Sequence, residues 1–195
     1  MNKTLDFYAQ EAETYASRKR DPEHAKLTAF LKRLPEGASI LELGCGGGQD
    51  SEYMLAQGFN VIPTDGSPQL AAQAEKRLKR PVAVMLFQEL EENEAYHGVW
   101  ARACLLHVAR KELPGILKRI HNALKPGGVF FASFKAGEKE GYDKFGRYYN
   151  YPAKEWLQQT YEAELWQDIE ITSSHGMAYG NEPTEWLYVK TVKGT

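Results

Sequence analysis

The sequence lacks the features that mark several large classes of protein. It has only two cysteines, Cys45 and Cys104, in 195 residues, which is too few for a disulfide framework and fits a reducing compartment such as the cytoplasm. No window approaches 18 uninterrupted apolar residues, and the polar N-terminal segment has no apolar secretion signal, so we expect neither a membrane partner nor secretion. The 24 basic and 26 acidic residues give a formal charge of −2 without a basic block, which argues against a nucleic-acid partner.

The remaining composition is typical of one globular domain. Hydrophobic residues make up 43% and charged residues 26% of the chain, and there is no internal repeat, low-complexity tract or linker. We therefore expect a single domain over residues 1–195, in which helices of the segment 1–36 cap a core formed by residues 37–195.

The spacing of apolar residues predicts two helices in the cap segment. Tyr8, Ala12 and Tyr15 recur at i, i+4 and i+7, which is the repeat of one helix face. A second helix is expected to start with Asp21 as its N-cap and Pro22 in its first turn. Its apolar face consists of Leu27, Phe30, Leu31 and Leu34.

From residue 39 onward, short apolar runs alternate with helical segments. Strands are predicted at 39–43, 59–65, 82–87, 98–103 and 129–134, with two more at 166–173 and 185–192. Helices are predicted at 50–57, 68–78, 113–124 and 153–164. Because the first five strands alternate with helices, the predicted fold class is α/β, a doubly wound, mostly parallel seven-stranded sheet covered on both faces. The last strand pair has no helix between its members and is expected to be antiparallel.

The most specific motif is Glu-Leu-Gly-Cys-Gly-Gly-Gly at residues 42–48, between the first strand and its helix. Such a position is where a doubly wound sheet places its ligand crevice, and the absence of β-carbons lets the backbone turn tightly against a ligand. The dinucleotide fingerprint G-x-G-x-x-G does not fit, because its last glycine would fall at Gln49 or Ser51. No G-K-[ST] is present, which excludes a P-loop. A plain glycine-rich turn is the alternative.

The spacing resembles motif I of the class I S-adenosylmethionine (SAM)-dependent methyltransferases, E/D-x-G-x-G-x-G, matched at Glu42, Gly44, Gly46 and Gly48. The resemblance runs from about Pro35 onward, and in detail the chain is most similar to small, tellurite-resistance-like methyltransferases. It implies a Rossmann-like methyltransferase domain, SAM as the cofactor, and in-line methyl transfer to a small-molecule acceptor.

A second anchor is Asp65, which lies 21 residues after Gly44 at the end of the second predicted strand. A carboxylate there can accept hydrogen bonds from both ribose hydroxyls. The alternative is that Asp65 and Gly66 only form a turn before a helix.

Further cofactor contacts are implied by the resemblance. The family contacts adenine after the third strand, where Gln88 and Glu89 both have suitable chemistry, and the methionine part at the end of the fourth strand, where Arg102, Ala103 and Leu106 lie. The expected cofactor-binding residues are Tyr15, Glu42, Gly44, Cys45, Gly46, Gly48, Asp65, Gly66, Gln88, Glu89, Ala103 and Leu106.

The only candidate for a catalytic residue is His107, which is either a base or a structural hydrogen-bonding group. Tyr8 and Tyr15 would cover the cofactor in related folds, since an aromatic face suits a sulfonium cation. The alternative is that both rings pack with Phe7 against the sheet. No metal site is expected, because the two cysteines read as buried free thiols rather than a metal or redox pair.

The segment 135–151 is polar and interrupted by glycines, and it leaves the sheet at the ligand edge. Long loops inside a compact domain are often functional, so we expect this one to cover the acceptor. Its cations Lys135 and Arg147 could then bind an anionic acceptor. A flexible surface loop whose aromatic residues pack locally is the alternative. The expected substrate-binding residues are Lys135, Phe145, Arg147, Tyr148 and Tyr149.

The absence of two motifs narrows the range of possible methyl acceptors. There is no N/D-P-P-Y, and neither cysteine follows a proline; both absences oppose DNA base methylation. Two other functions stay open: an NAD(P)-dependent oxidoreductase with a similar crevice, and a non-catalytic SAM-binding protein. The sequence does not indicate an oligomeric state.

Overall fold

The computed structural model of the chain describes residues 2–18, 25–180 and 182–195. The helices of this part are α1 Lys3–Gln10, α2 Ala12–Ser17, α3 Ala25–Leu31, α4 Gln49–Ala56, α5 Pro68–Leu78, α6 Leu113–Ala123 and α7 Lys154–Glu162. The strands are β1 Ser39–Leu43, β2 Asn60–Asp65, β3 Ala83–Val84, β4 Tyr96–Ala101, β5 Leu124–Lys135, β6 Gly141–Tyr142, β7 Tyr148–Tyr149, β8 Trp166–Met177 and β9 Pro183–Lys193.

Seven strands form one sheet in the order β3-β2-β1-β4-β5-β9-β8. The first five are parallel to one another, and β9 runs antiparallel to both β5 and β8. This confirms the predicted doubly wound sheet with an antiparallel last pair. The carboxyl ends of β1, β2 and β4 therefore meet at one edge, which is where such a fold binds ligands.

Both faces of the sheet are covered. On one face, Phe30 of α3 and Phe131 of β5 pack on Trp100, whose ring stacks on Phe131 at 4.0 Å between centroids. On the other face, α6 and α7 bury Ile120 and Tyr161 against the sheet. The central strands β1, β4 and β5 are buried on both sides over most of their length, which explains their continuous apolar runs.

Several boundaries differ from the predictions. The edge strand β3 has only two residues, both exposed, out of the six predicted at 82–87. Met85 and Leu86 are irregular, and a 3₁₀ turn begins at Phe87. An edge strand pairs on one side only, so an apolar run does not guarantee its length. Strand β5 begins at Leu124, earlier than predicted, with a register shift against β4. Strand β8 continues to Met177, beyond its predicted end, and β9 already begins at Pro183.

The cap segment also differs in detail. The first predicted helix is broken at Glu11, which separates α1 from α2. The predicted N-cap of the next helix, Asp21 with Pro22, lies outside the described residues. The apolar face of α3 is confirmed for Leu27, Phe30 and Leu31, which are all buried.

The segment 135–151 folds back as a two-stranded hairpin, in which β6 pairs with β7. Asn150, just after β7, is fully buried and donates hydrogen bonds to the carbonyls of Leu105 and Val108, each at 3.1 Å. The hairpin is thereby attached to the residues that follow β4.

Candidate active site

A pocket lies at the carboxyl edge of the sheet, between the turns that follow β1, β2 and β4 and the cap helices α1 and α2. The sheet wall includes these predicted cofactor residues: Gly44, Gly46, Asp65, Gly66, Gln88 and Ala103. The cap wall is formed by Asn2, Thr4, Leu5, Tyr8 and Tyr15. The pocket is completed by Leu70, Met85, Leu86, Phe87, Arg102, Cys104, His107, Val108 and Glu112.

Glycine is required at the turn after β1. Gly44 has φ +63°, and a β-carbon added there would lie 2.5 Å from Cβ of Cys104. Gly46 also has a positive φ of +56°, and its N–H donates to Oδ2 of Asp65 at 2.8 Å. An L-residue at either position would be strained, and at Gly44 it would also clash.

Asp65 joins the two turns of the sheet wall. Its Oδ2 accepts from Gly46 N, and its Oδ1 accepts from Ser67 N, both at 2.8 Å. Burial raises the pKa of Asp65, and these two backbone N–H groups oppose that shift. The same carboxylate therefore forms the turn and also lines the pocket.

Several residues expected at the cofactor lie behind the pocket wall. Glu42 is buried and accepts from the hydroxyl of Ser51. Glu89 accepts from Leu86 N at 2.7 Å and caps the 3₁₀ turn, so Gln88 is the residue of that pair that lines the pocket. Three others pack into apolar surroundings away from the pocket: Cys45, Gly48 and Leu106.

Tyr8 and His107 form a hydrogen-bonded pair across the pocket. The Tyr8 hydroxyl lies 2.8 Å from Nε2 of His107, while Nδ1 of His107 lies 2.6 Å from the carbonyl oxygen of Tyr148. Since a carbonyl only accepts, Nδ1 carries the ring proton, and Nε2 accepts from Tyr8. Burial lowers the pKa of His107 to about 3, so the imidazole is neutral near pH 7 and a weak base.

The five expected substrate-binding residues do not line the pocket but surround it. Arg147 is buried, and its Nε and Nη2 donate to Oδ2 of Asp143 at 2.9 and 2.7 Å. The guanidinium carbon lies 4.7–5.3 Å from the centroids of four aromatic rings, those of Phe7, Phe145, Tyr149 and Tyr179. These rings come from α1, the hairpin and the turn between β8 and β9, so Arg147 holds three parts of the cap together.

Two other expected substrate-binding residues, Lys135 and Tyr148, also make contacts within the layer around the pocket. The ammonium of Lys135 lies 4.1 Å from the ring centroid of Tyr149, and its pKa is lowered by burial and by Arg147. Tyr148 donates its hydroxyl to Glu140 and accepts from His107 through its carbonyl. Its backbone N–H donates to Thr4 Oγ1 at 2.9 Å, which attaches the hairpin to α1.

Sequence reasoning missed part of the pocket. Leu5, Leu86, Val108 and Glu112 line it without belonging to a recognised motif. Leu86 lies two residues before Gln88, the predicted adenine contact, and this proximity is the one sequence signal for it. The others reach the pocket through tertiary packing.

The two cysteines are free and buried, as interpreted from the sequence. Burial raises the pKa of both thiols, so neither is a thiolate near neutral pH. Within the described ranges, no group of three or more His, Cys, Asp or Glu side chains is arranged to hold a metal ion. None of the helices in that part of the chain is both long and apolar enough to span a bilayer.

Comparisons with known proteins agree with this geometry. Residues 15–176 match the family described as a methyltransferase domain. An uncharacterized methyltransferase of Synechocystis sp. is 31% identical over 96 residues, or 48% of this chain and 45% of that protein. The trans-aconitate 2-methyltransferase of Variovorax paradoxus is 35% identical over 103 residues, or 49% of this chain and 38% of that protein. The chain thus spans less than half the length of these two relatives.

A solved structure shows the same fold. The 1,6-didemethyltoxoflavin-N1-methyltransferase of Burkholderia thailandensis, determined with S-adenosylhomocysteine (SAH), superimposes with a TM-score of 0.75 at 22% identity. The match covers 99% of this chain and 88% of that protein. With the strand order, the glycine turn and the family match over most of its length, the chain belongs to the methyltransferase-domain family, in its class I, SAM-dependent form.

Proposed function

We propose that the chain is an enzyme that transfers the methyl group of SAM, in line, to a small-molecule acceptor. One observation carries this proposal: a single pocket has a bare glycine turn and a buried carboxylate on one wall, and a tyrosine hydroxyl held by a neutral histidine on the other. The first wall suits the donor, and the second suits an acceptor beside the sulfonium.

The donor is assigned to the sheet wall. The backbone of Gly44 and Gly46 is bare enough for the amino-acid end of SAM, and Asp65 is assigned to the ribose hydroxyls. Gln88 offers an amide to the adenine edge. Arg102, paired with Asp50 at 3.3 Å, is a cation at the pocket wall that can pair with the methionine carboxylate.

Methyl transfer from a sulfonium needs alignment and exclusion of water more than proton chemistry, because the leaving group is already activated. His107 is too weak a base for an acceptor hydroxyl, since its pKa is about 3. Tyr8 donates to His107 and its oxygen also faces the Arg147 guanidinium. A phenol oxygen has two lone pairs, so one is left to orient an acceptor O–H or N–H. We assign the pair to orienting the acceptor rather than to removing its proton.

The acceptor is proposed to be small because the cap closes over the pocket. Two similar methyltransferases are named for small substrates, trans-aconitate and 1,6-didemethyltoxoflavin. The finer likeness to tellurite-resistance-like methyltransferases rests on sequence resemblance, so metalloid oxyanions belong in the acceptor screen. The division into a cap at 1–36 and a core at 37–195, and the absence of a nucleic-acid partner, are parts of the same proposal.

Isothermal titration with SAM, SAH and NADH tests the donor assignment, and a screen of methyl acceptors with labelled SAM tests the activity. We expect binding of SAM and SAH but not NADH, followed by methyl transfer to at least one small acceptor. Binding of NADH alone would favour an oxidoreductase. Binding of SAM without transfer to any acceptor would favour the non-catalytic alternative.

A further inference from the structure

Helix α2 is held in place by a side chain from another element, Arg77 of α5. Helix α2 has six residues, a length that is marginal for an isolated helix, and no basic residue in its last turn. The carbonyl groups of a last turn have no partner within the helix. Here the carbonyl of Ala16 accepts from Nη2 of Arg77 and from Nε2 of Gln49, both at 3.1 Å.

The same guanidinium also binds the glycine turn. Nε of Arg77 donates to the carbonyl of Gly47 at 2.7 Å. Helix α2 and the turn are in direct contact there, because a β-carbon added to Gly47 would lie 2.8 Å from Cα of Ala16. Gly47 is the one glycine of the 44–48 run outside the pattern of motif I, and this contact explains why no side chain stands there.

Arg77 therefore spans the boundary between the two walls of the pocket. Its fork reaches one carbonyl on the sheet side, that of Gly47, and one on the cap side, that of Ala16. The neighbouring cap residue, Tyr15, lines the same pocket as Gly44 and Gly46. A seated α2 closes this side of the pocket. The Arg77 side chain is partly exposed, so its hydrogen bonds lie near the surface.

We propose that Arg77 is a positioning residue that latches α2 onto the glycine turn and thereby sets how long the bound methyl donor or its product is retained. This inference rests on the proposed function, since it requires SAM and SAH to occupy the pocket. Gln49 acts as a second, weaker donor to the same carbonyl of Ala16.

The test measures the dissociation rate of SAH by chase with excess unlabelled ligand, together with the melting temperature without ligand. Arg77→Met removes both latch donors that Arg77 supplies, Nε and Nη2. We expect SAH to dissociate about tenfold faster, which corresponds to the loss of one or two charge-assisted hydrogen bonds. Arg77→Lys, which has a point charge instead of a fork, is expected to fall between Met and the wild type. The matched control is Glu52→Ala, which removes only the exposed ion pair to Nη1 of Arg77, and we expect its rate to be that of the wild type.

Two outcomes would overturn the latch: a folded Arg77→Met with the wild-type dissociation rate, or equal rates in Arg77→Met and Glu52→Ala. A lower melting temperature with an unchanged rate would mean a purely structural role. If Arg77→Met does not fold, Gln49→Leu replaces it, with an expected threefold or so faster dissociation, and an unchanged rate there would count against the latch. If the wild type does not bind SAH at all, the proposed function fails as well, which separates the two results.

Discussion

The two walls of the pocket present different chemical groups. The sheet wall consists of turns at the carboxyl ends of β1, β2 and β4, and its key groups are bare backbone at Gly44 and Gly46 and one carboxylate, Asp65. The cap wall consists of α1 and α2 backed by the β6–β7 hairpin, and its key groups are rings and cations, with Arg147 at their centre. The sheet wall depends on the absence of β-carbons at its glycines, whereas the cap wall depends on large side chains.

This difference indicates how the two walls can vary. A turn that admits no β-carbon leaves little freedom for substitution, which suits a donor that is always the same molecule. A wall of side chains can be repacked while the sheet stays intact, which suits an acceptor that differs between enzymes on one fold. The following substitutions test this contrast.

The largest effect is expected in the cap. Arg147→Met leaves Asp143 with its backbone donors but without its cationic partner. Breaking a buried ion pair from one side costs about 3 kcal/mol. We expect the free energy of unfolding in urea to fall by about that amount, while the folded variant keeps its affinity for SAH. Lys144→Met, which removes an exposed pair with Glu182, should change stability by less than about 1 kcal/mol. A large loss of SAH affinity in Arg147→Met would remove the distinction between the walls.

The next effect concerns the glycine turn. Gly44→Ala adds a β-carbon that meets Cβ of Cys104 at 2.5 Å and places alanine at a φ of +63°. Strain and overpacking together should lower the free energy of unfolding by about 2–3 kcal/mol. The control is Gly115→Ala in α6, where a new β-carbon meets nothing within 4 Å and where the helix should gain up to about 1 kcal/mol. Equal stabilities in the two variants would contradict this account.

Asp65 tests the donor side directly. Asp65→Ala should weaken SAH binding by about 2 kcal/mol, or roughly 30-fold, because a charge-assisted contact to the ribose is lost. Calorimetry of the variant measures this, and Asp168→Ala, at an exposed carboxylate on β8, should bind as the wild type does. Unchanged affinity in Asp65→Ala would remove that carboxylate from the proposed site.

The last effect, which is the smallest when expressed per pH unit, is a pH dependence at the residue that contacts the cap, His107. The pKa of His107 is about 3 in the folded chain, against about 6.5 in the unfolded chain, so the unfolded state binds more protons between these values. Stability must then rise with pH across this window, by up to about 1.4 kcal/mol per unit from this group. Urea unfolding between pH 4 and 7 measures how the free energy of unfolding changes with pH. This dependence should be shallower for His107→Gln than for the wild type. The control is His175→Gln, at an exposed position, which should show the wild-type dependence. A slope that does not change in His107→Gln would contradict the buried neutral assignment.

The order of elements was largely predictable because its signals are local. The apolar run at 39–43 and the Ser67-Pro68 helix start were both found where predicted, since pairing and capping depend on neighbouring residues. The length of β3 was not predictable, because it depends on how much of an edge strand finds a partner. The break at Glu11 has no strong sequence signal either.

The site was only partly predictable. Gly44, Gly46 and Asp65 were predicted at the place where the structure has its pocket, because their conformations and positions leave a pattern in the chain. Arg147 and Tyr149 were assigned to the acceptor from their chemistry, whereas the structure places them in the layer behind the pocket, bound to each other and to neighbouring rings.

The sequence by itself determined the α/β order, the bare turn after β1 and the acid at the end of β2, because each follows from short-range sterics and periodicity. Only the tertiary structure decided that Tyr8 pairs with His107, which is 99 residues away, and that Arg77 joins Gly47 to Ala16. Such contacts arise when packing brings distant side chains together, and no local pattern encodes which partner each will find.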